Sequence, residues 1–157
     1  MSYERTDGEI GAVYRPLAKV PDLVGPTAST TFLAPGSLTR RQFGIFRRDM
    51  QPHAGGPDAH THRTFSESFY VLKGTVRFYD GRDWVEATAG DFLYVPKGGI
   101  HAFKADSDEP SSMLILFAPG KAREAYFRET EEIRKSRREL TDDQWTELYA
   151  RHDQYMV

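Results

Sequence analysis

The sequence predicts an all-β domain, a small barrel, followed by a short α-helical extension. Three observations carry this. Short apolar or alternating runs recur at 67–73, 75–79, 84–87, 91–95, 101–104 and 112–117, separated by Gly or Asp-Gly breaks. Runs of that length and spacing belong to sandwiches and barrels. The pair Asp80-Gly81 lies between two of them, and Asp-Gly is a strong hairpin signal. After Pro119-Gly120 the pattern turns to dense charge with scattered apolar residues, which is helical in character. The expected organisation is an extended arm over 1–39, the barrel over 40–118 and a helical extension over 119–157, together one compact domain.

Residues 1–30 are rich in Gly, Pro, Ser and Thr, and Pro16, Pro21 and Pro26 forbid a regular helix. Residues 30–34 can form a short strand before the Pro35-Gly36 turn. The segment 40–50, with Phe43, Ile45 and Phe46 among basic residues, is expected to be an early barrel strand. Residues 51–58 form a loop by their Pro and Gly content. Downstream, 121–139 pairs Glu124 with Arg128 and Glu131 with Lys135 at the favourable i,i+4 spacing, so a helix is expected with its charges facing solvent. Thr141 to Gln144 reads as a capping box. It starts a second helix running to about Arg151, with Trp145, Leu148 and Tyr149 as the buried stripe. This extension serves either as a lid over the barrel or as a docking surface for a second copy.

The chemistry concentrates in 56–74 and 90–101. His60 and His62 are two apart, and alternate positions of a strand share a face, so their rings can converge on one ion. Glu67 has the opposite parity from His62. It joins them only if the chain bends between Arg63 and Ser66. Pro96, Gly98 and Gly99 make a tight turn, and the strand after it carries His101 back toward the first pair. Three imidazoles and one carboxylate form a first shell for a divalent transition metal: Fe, Ni, Mn or Co with two positions open, or Zn with fewer ligands. Parity with Glu67 and His101 marks Phe69, Val71 and Phe103 as candidate pocket walls, with plain core packing as the alternative. Tyr94 and Tyr70 are weaker candidates. His53 lies in the loop before the first pair, where it either touches substrate or is simply solvated.

These residues resemble a known family. His60, His62, Glu67 and Gly74 fall on the first cupin motif, G-x5-H-x-H-x3,4-E-x6-G, with Ala54 where the leading glycine is expected and Gly55 one place on. Gly90, Pro96, Gly98 and His101 fall on the second, G-x5-P-x-G-x2-H-x3-N, with Ala105 in place of the final Asn. The resemblance covers 55–105 closely and about 40–118 with the flanking strands. It implies a double-stranded β-helix (jelly-roll) barrel, a metal held by His60, His62, Glu67 and His101, and a homodimer. Its single-domain, aromatic-walled form looks like quercetinase-type dioxygenases acting on an aromatic or enol substrate, with Glu67 helping to remove the substrate proton. The same shell serves non-redox isomerases, lyases and polyketide cyclases, and metal-containing binding modules without turnover.

Composition narrows the classes further. The 157 residues carry a net charge of −2, which gives no basic field for nucleic acid. They contain no cysteine, so neither thiolate ligands nor Cys nucleophiles are available. No apolar run approaches a membrane span, and the polar first residues lack the apolar core of a signal peptide. The expectation is a cytoplasmic protein acting on a small molecule.

Overall fold

The computed structural model describes residues 11–157. The expected readings of the first ten residues lie outside these. Eleven strands and two helices follow in order: β1 Leu23–Val24, β2 Ala28–Ala34, β3 Gly44–Met50, β4 His60–Thr61, β5 Ser66–Lys73, β6 Thr75–Tyr79, β7 Trp84–Thr88, β8 Phe92–Val95, β9 Ala102–Lys104, β10 Ser111–Ala118, α1 Arg123–Lys135, α2 Asp142–Arg151 and β11 Tyr155–Met156. This is the all-β jelly-roll barrel with a helical C-terminal extension.

One wall is a six-stranded sheet in the order β1-β2-β3-β10-β5-β8, with every pairing antiparallel. The other wall is built from β7-β6-β9 and the small β11-β4 pair. A single antiparallel bridge, His60 to His101, links those two pieces. Side chains alternate faces along each strand, so every second residue enters the barrel. On β5 the inward row is Glu67, Phe69 and Val71. On β10 it is Met113, Ile115 and Phe117. The core is mainly aromatic. Phe46 meets Phe32, Phe117 and Phe127 edge-on at centroid distances of 5.3, 5.6 and 5.3 Å. Such edge-to-face contacts add to the burial of the rings.

Turns follow the local chemistry. The β6–β7 hairpin closes over 80–83, where the Asp80 carboxylate accepts hydrogen bonds from the Arg82 and Asp83 amides. Gly74 joins β5 to β6 with φ of +69°, and a Cβ there would lie 2.4 Å from the Pro110 carbonyl oxygen. Only glycine fits both demands.

The N-terminal boundary moves. Residues 28–34 are a full strand of the main sheet rather than part of an arm, because β2 pairs along β3 and buries Thr30, Thr31 and Phe32. The helices begin and end close to their signals. α2 starts at the capping box, with Thr141 accepting from the Gln144 amide and Gln144 from the Thr141 amide. In α1, Glu131 pairs with Lys135 at 3.5 Å and more closely with Arg134. Glu124 instead accepts from the Ser37 amide, and Arg128 lies over the Phe32 ring. Tertiary partners thus displace the expected Glu124–Arg128 pair. No helix among the described residues is long and apolar enough to cross a membrane.

Candidate metal centre and its cavity

His60, His62, Glu67 and His101 come together inside the barrel, each at most 5 % exposed, with one donor atom from each lying within 4.8 Å of all the others. The backbone explains how. His60 and His101 exchange both backbone hydrogen bonds at 3.0 Å, which sets the two rings side by side with centroids 4.3 Å apart. The Gly98 amide donates to the His62 carbonyl at 2.6 Å, fixing the Pro96–Gly99 turn against the first pair. β4 stops at Thr61 and β5 starts at Ser66, so the bend that Glu67 needs is present. Asp153 holds that bend. Its carboxylate accepts from the Arg63 and Thr64 amides at 3.0 and 2.8 Å and from the Thr64 hydroxyl at 2.5 Å.

Each imidazole is oriented from behind. Nδ1 of His60 donates to the Asp58 carbonyl at 2.7 Å, that of His62 to the Asp153 carbonyl at 2.7 Å, and that of His101 to the Gly99 carbonyl at 3.1 Å. With Nδ1 committed as donor, Nε2 of a neutral ring offers its lone pair to the centre. Phe65 stacks on His62 at 4.3 Å and limits ring rotation. Donors about 2.1 Å from a shared ion lie roughly 3 Å apart when adjacent and 4.2 Å when opposite. The observed spread of up to 4.8 Å needs about half an ångström of closure, so the donor set fits a transition metal.

The electrostatics describe the cluster with a proton where an ion would sit. Glu67 Oε2 lies 3.0 Å from His62 Nε2 and 2.8 Å from His101 Nε2. Burial alone would raise the Glu67 pKa, but hydrogen bonds from His101 and His62 outweigh it and hold the carboxyl well below its usual range. Burial would lower His101, yet the Glu67 carboxylate reverses this and raises it. His60 has no such partner. Burial, reinforced by the charge of His101, drops it to about 4.

A cavity of about 430 Å³ opens beside the cluster, lined by His60, Glu67, Phe103 and Ile115 from the barrel. The helices supply Arg123, Tyr126, Phe127 and Tyr149, and the tail adds Gln154 and Met156. The extension therefore lies over the barrel mouth. β11 pairs with β4, Met156 opposite His60, so the tail is part of the site. Among the pocket candidates, Phe103 lines this cavity. Phe69 and Val71 do not: they are fully buried in the core, with the Phe69 ring 6.0 Å from that of His101. Tyr94 and Tyr70 have outward parity on β8 and β5 and are 58 % and 44 % exposed. His53 is exposed and pairs with Asp108 at 2.8 Å.

Sequence reasoning passed over Arg48, Arg123, Tyr126, Asp153 and Gln154. Arg48 carried a signal, since it shares the inward parity of Phe46 and Met50 on β3. The charge density of α1 concealed Arg123.

Residues 46–117 match the cupin domain, in keeping with this barrel and these motifs. A stretch of 61 residues is 32 % identical to quercetin 2,3-dioxygenase of Bacillus subtilis (strain 168), covering 39 % of this chain and 18 % of that enzyme. The matched stretch thus spans under a fifth of that relative. Among solved structures, KdgF from Halomonas sp. superposes with a TM-score of 0.64 at 17 % identity, covering 73 % of this chain and 99 % of that one. A predicted oxalate decarboxylase from Thermotoga maritima gives 0.62 at 18 %, covering 69 % and 99 %. Ectoine synthase from P. lautus gives 0.55 at 16 %, covering 69 % and 76 %. At such identities the likeness is one of fold.

Proposed function

We propose that this protein is a metal-dependent enzyme, a dioxygenase acting on a small aromatic or enol substrate. The observation that carries the reading is the buried His60, His62, Glu67 and His101 cluster opening onto a cavity of a size suited to such a substrate. The quercetin 2,3-dioxygenase stretch supports the choice of chemistry. His60, His62 and His101 would hold a divalent Fe, Ni, Mn or Co ion through Nε2, with Glu67 as fourth ligand. When bound, the ion supplies Lewis acidity and sites where an enolate oxygen and dioxygen can be brought together.

The protein's own contribution is specific. The three backbone carbonyls hold the rings in the donor tautomer. Glu67 lines the cavity beside the three imidazoles, where its carboxylate can take the enol proton. Phe103 and Ile115 provide an apolar wall, and α1, α2 and the tail limit water.

The test is oxygen uptake by protein reconstituted with each metal and offered flavonols and smaller enols. Uptake matched to substrate loss, and absent from His62→Ala, supports the reading. Product formed equally without oxygen would replace it with an isomerase, lyase or cyclase. Thermal stabilisation by ligand without product would make the protein a binding module.

A further inference from the structure

The cavity beside the cluster is also lined by two guanidinium groups that the proposed chemistry does not use, Arg48 from β3 and Arg123 from the start of α1. Arg123 is 4 % exposed. It donates to the His152 carbonyl at 2.8 Å and to Gln154 Oε1 at 3.2 Å, both neutral acceptors. Its plane is held by aromatic rings, with Tyr126 at 4.1 Å and Phe117, Phe65 and Phe127 between 5.3 and 5.7 Å. Arg48 donates to the Thr30 hydroxyl at 3.1 Å. Among the described residues, the Nε of each guanidinium is buried without a hydrogen-bond partner. A buried charged donor left unpaired is costly, and such groups are ordinarily met by an acceptor.

The anions nearby are already committed. Glu67 faces His62 and His101. The Asp153 carboxylate is taken by Arg63 and Thr64. Glu131, whose charge acts on Arg48, is bonded by Arg134 and Lys135. Asp58 lines the cavity but is exposed at its rim. The cavity lining thus carries Arg48 and Arg123 against Glu67 and, at the rim, Asp58, and a divalent ion on the cluster would leave it net positive.

We infer that the substrate is itself an anion, an enol that also bears a carboxylate, with the enol at the His60–Glu67 end of the cavity and the carboxylate at Arg48 and Arg123. The enol half rests on the metal-enzyme reading above, whereas the carboxylate half rests on the guanidiniums alone. A planar carboxylate accepts two parallel N–H groups from a guanidinium, which is the geometry Arg supplies and Lys does not. Arg48 and Arg123 are then specificity-determining residues, and a neutral flavonol would leave both unanswered.

A matched pair of probes tests this. Kojic acid and comenic acid share a hydroxypyranone, a metal-binding enol-ketone. They differ in that comenic acid carries a carboxylate where kojic acid has a hydroxymethyl group. Calorimetric titration into the metal-reconstituted full chain should show comenate binding at least about tenfold more tightly, the order of one charge-assisted hydrogen bond. Arg48→Met should remove that preference and leave kojic acid affinity unchanged. Arg123→Met should do the same, and because Arg123 also ties down the tail, Arg48→Met decides if that variant fails to fold. Equal binding of the two probes, or a preference that survives Arg48→Met, overturns the carboxylate site and leaves the metal reading standing. Comenate binding that is unchanged by metal removal upholds the site and overturns its placement beside a metal-bound enol. If neither probe binds, both readings fall.

Discussion

Each of the three imidazoles is aimed by a backbone carbonyl, so the lone pairs at the centre are set by main-chain geometry rather than by neighbouring side chains. His101→Ala should remove most bound metal, read by elemental mass spectrometry of the purified protein. Retention of full occupancy would rule His101 out as a ligand. Glu67→Gln should lower turnover more than metal content if the carboxylate takes the substrate proton, and an equal fall in both would mark it as a structural ligand. The metal-free protein should also lose stability in acid. His60 is neutral in both folded and unfolded chains above its ordinary value near 6.5. Below that, the unfolded chain takes up a proton that the folded one refuses down to about 4. Unfolding is then favoured as pH falls through that window, by on the order of 3 kcal/mol at its lower end. His101 works in the opposite direction: its raised pKa stabilises the fold at low pH, and that contribution fades as pH rises above the ordinary value. Urea midpoints of His60→Ala should show a shallower acid decline than the wild type. The four cluster residues were legible because spacing encodes them. Their carbonyl partners were not, since any residue type offers a carbonyl.

The C-terminal tail shows what a short element can do. β11 is two residues long, yet Asp153 beside it holds the bend that admits Glu67, and its carbonyl orients His62. Asp153→Ala should cost about 1–3 kcal/mol through the amides it leaves unpaired and weaken metal binding about 10–100-fold. Thermal unfolding and metal titration measure these separately. Thr141→Ala removes one half of the capping box and should cost about 1 kcal/mol, with metal content unchanged. The capping box was legible because it is a local pattern of two side chains and two amides. The role of 152–157 was not, because two residues of strand carry no periodicity. α1 misled in a related way. Its charges do face solvent at Arg134 and Lys135, but Arg123 turns inward onto the rings of Phe65, Phe117 and Tyr126.

Across the molecule, one aromatic core joins the two walls of the barrel to the helices laid on it. Phe46 touches Phe32 and Phe117 in the main sheet and Phe127 in α1, with none of its surface exposed. Phe46→Ala should destabilise the protein by about 3–5 kcal/mol in chemical denaturation, and a loss under 1 kcal/mol would show that the site can collapse around the gap. The barrel class followed from the number and brevity of the runs, and the inward row of β5 from simple alternation. The division into walls did not follow, because strand order depends on pairings between residues far apart in sequence. The strand expected at 30–34 was legible for what it is, but its place in the main sheet was not, because that depends on its pairing with β3.

The β11–β4 pairing also has a kinetic side. A two-residue strand frays far more readily than the sheets beneath it, since local opening costs much less than global unfolding. Each opening would free the backbone edge of His60 while the barrel stays closed. Exchange of a bound ion with solvent would then proceed at the pace of this peeling, giving the centre a residence time shorter than the lifetime of the fold.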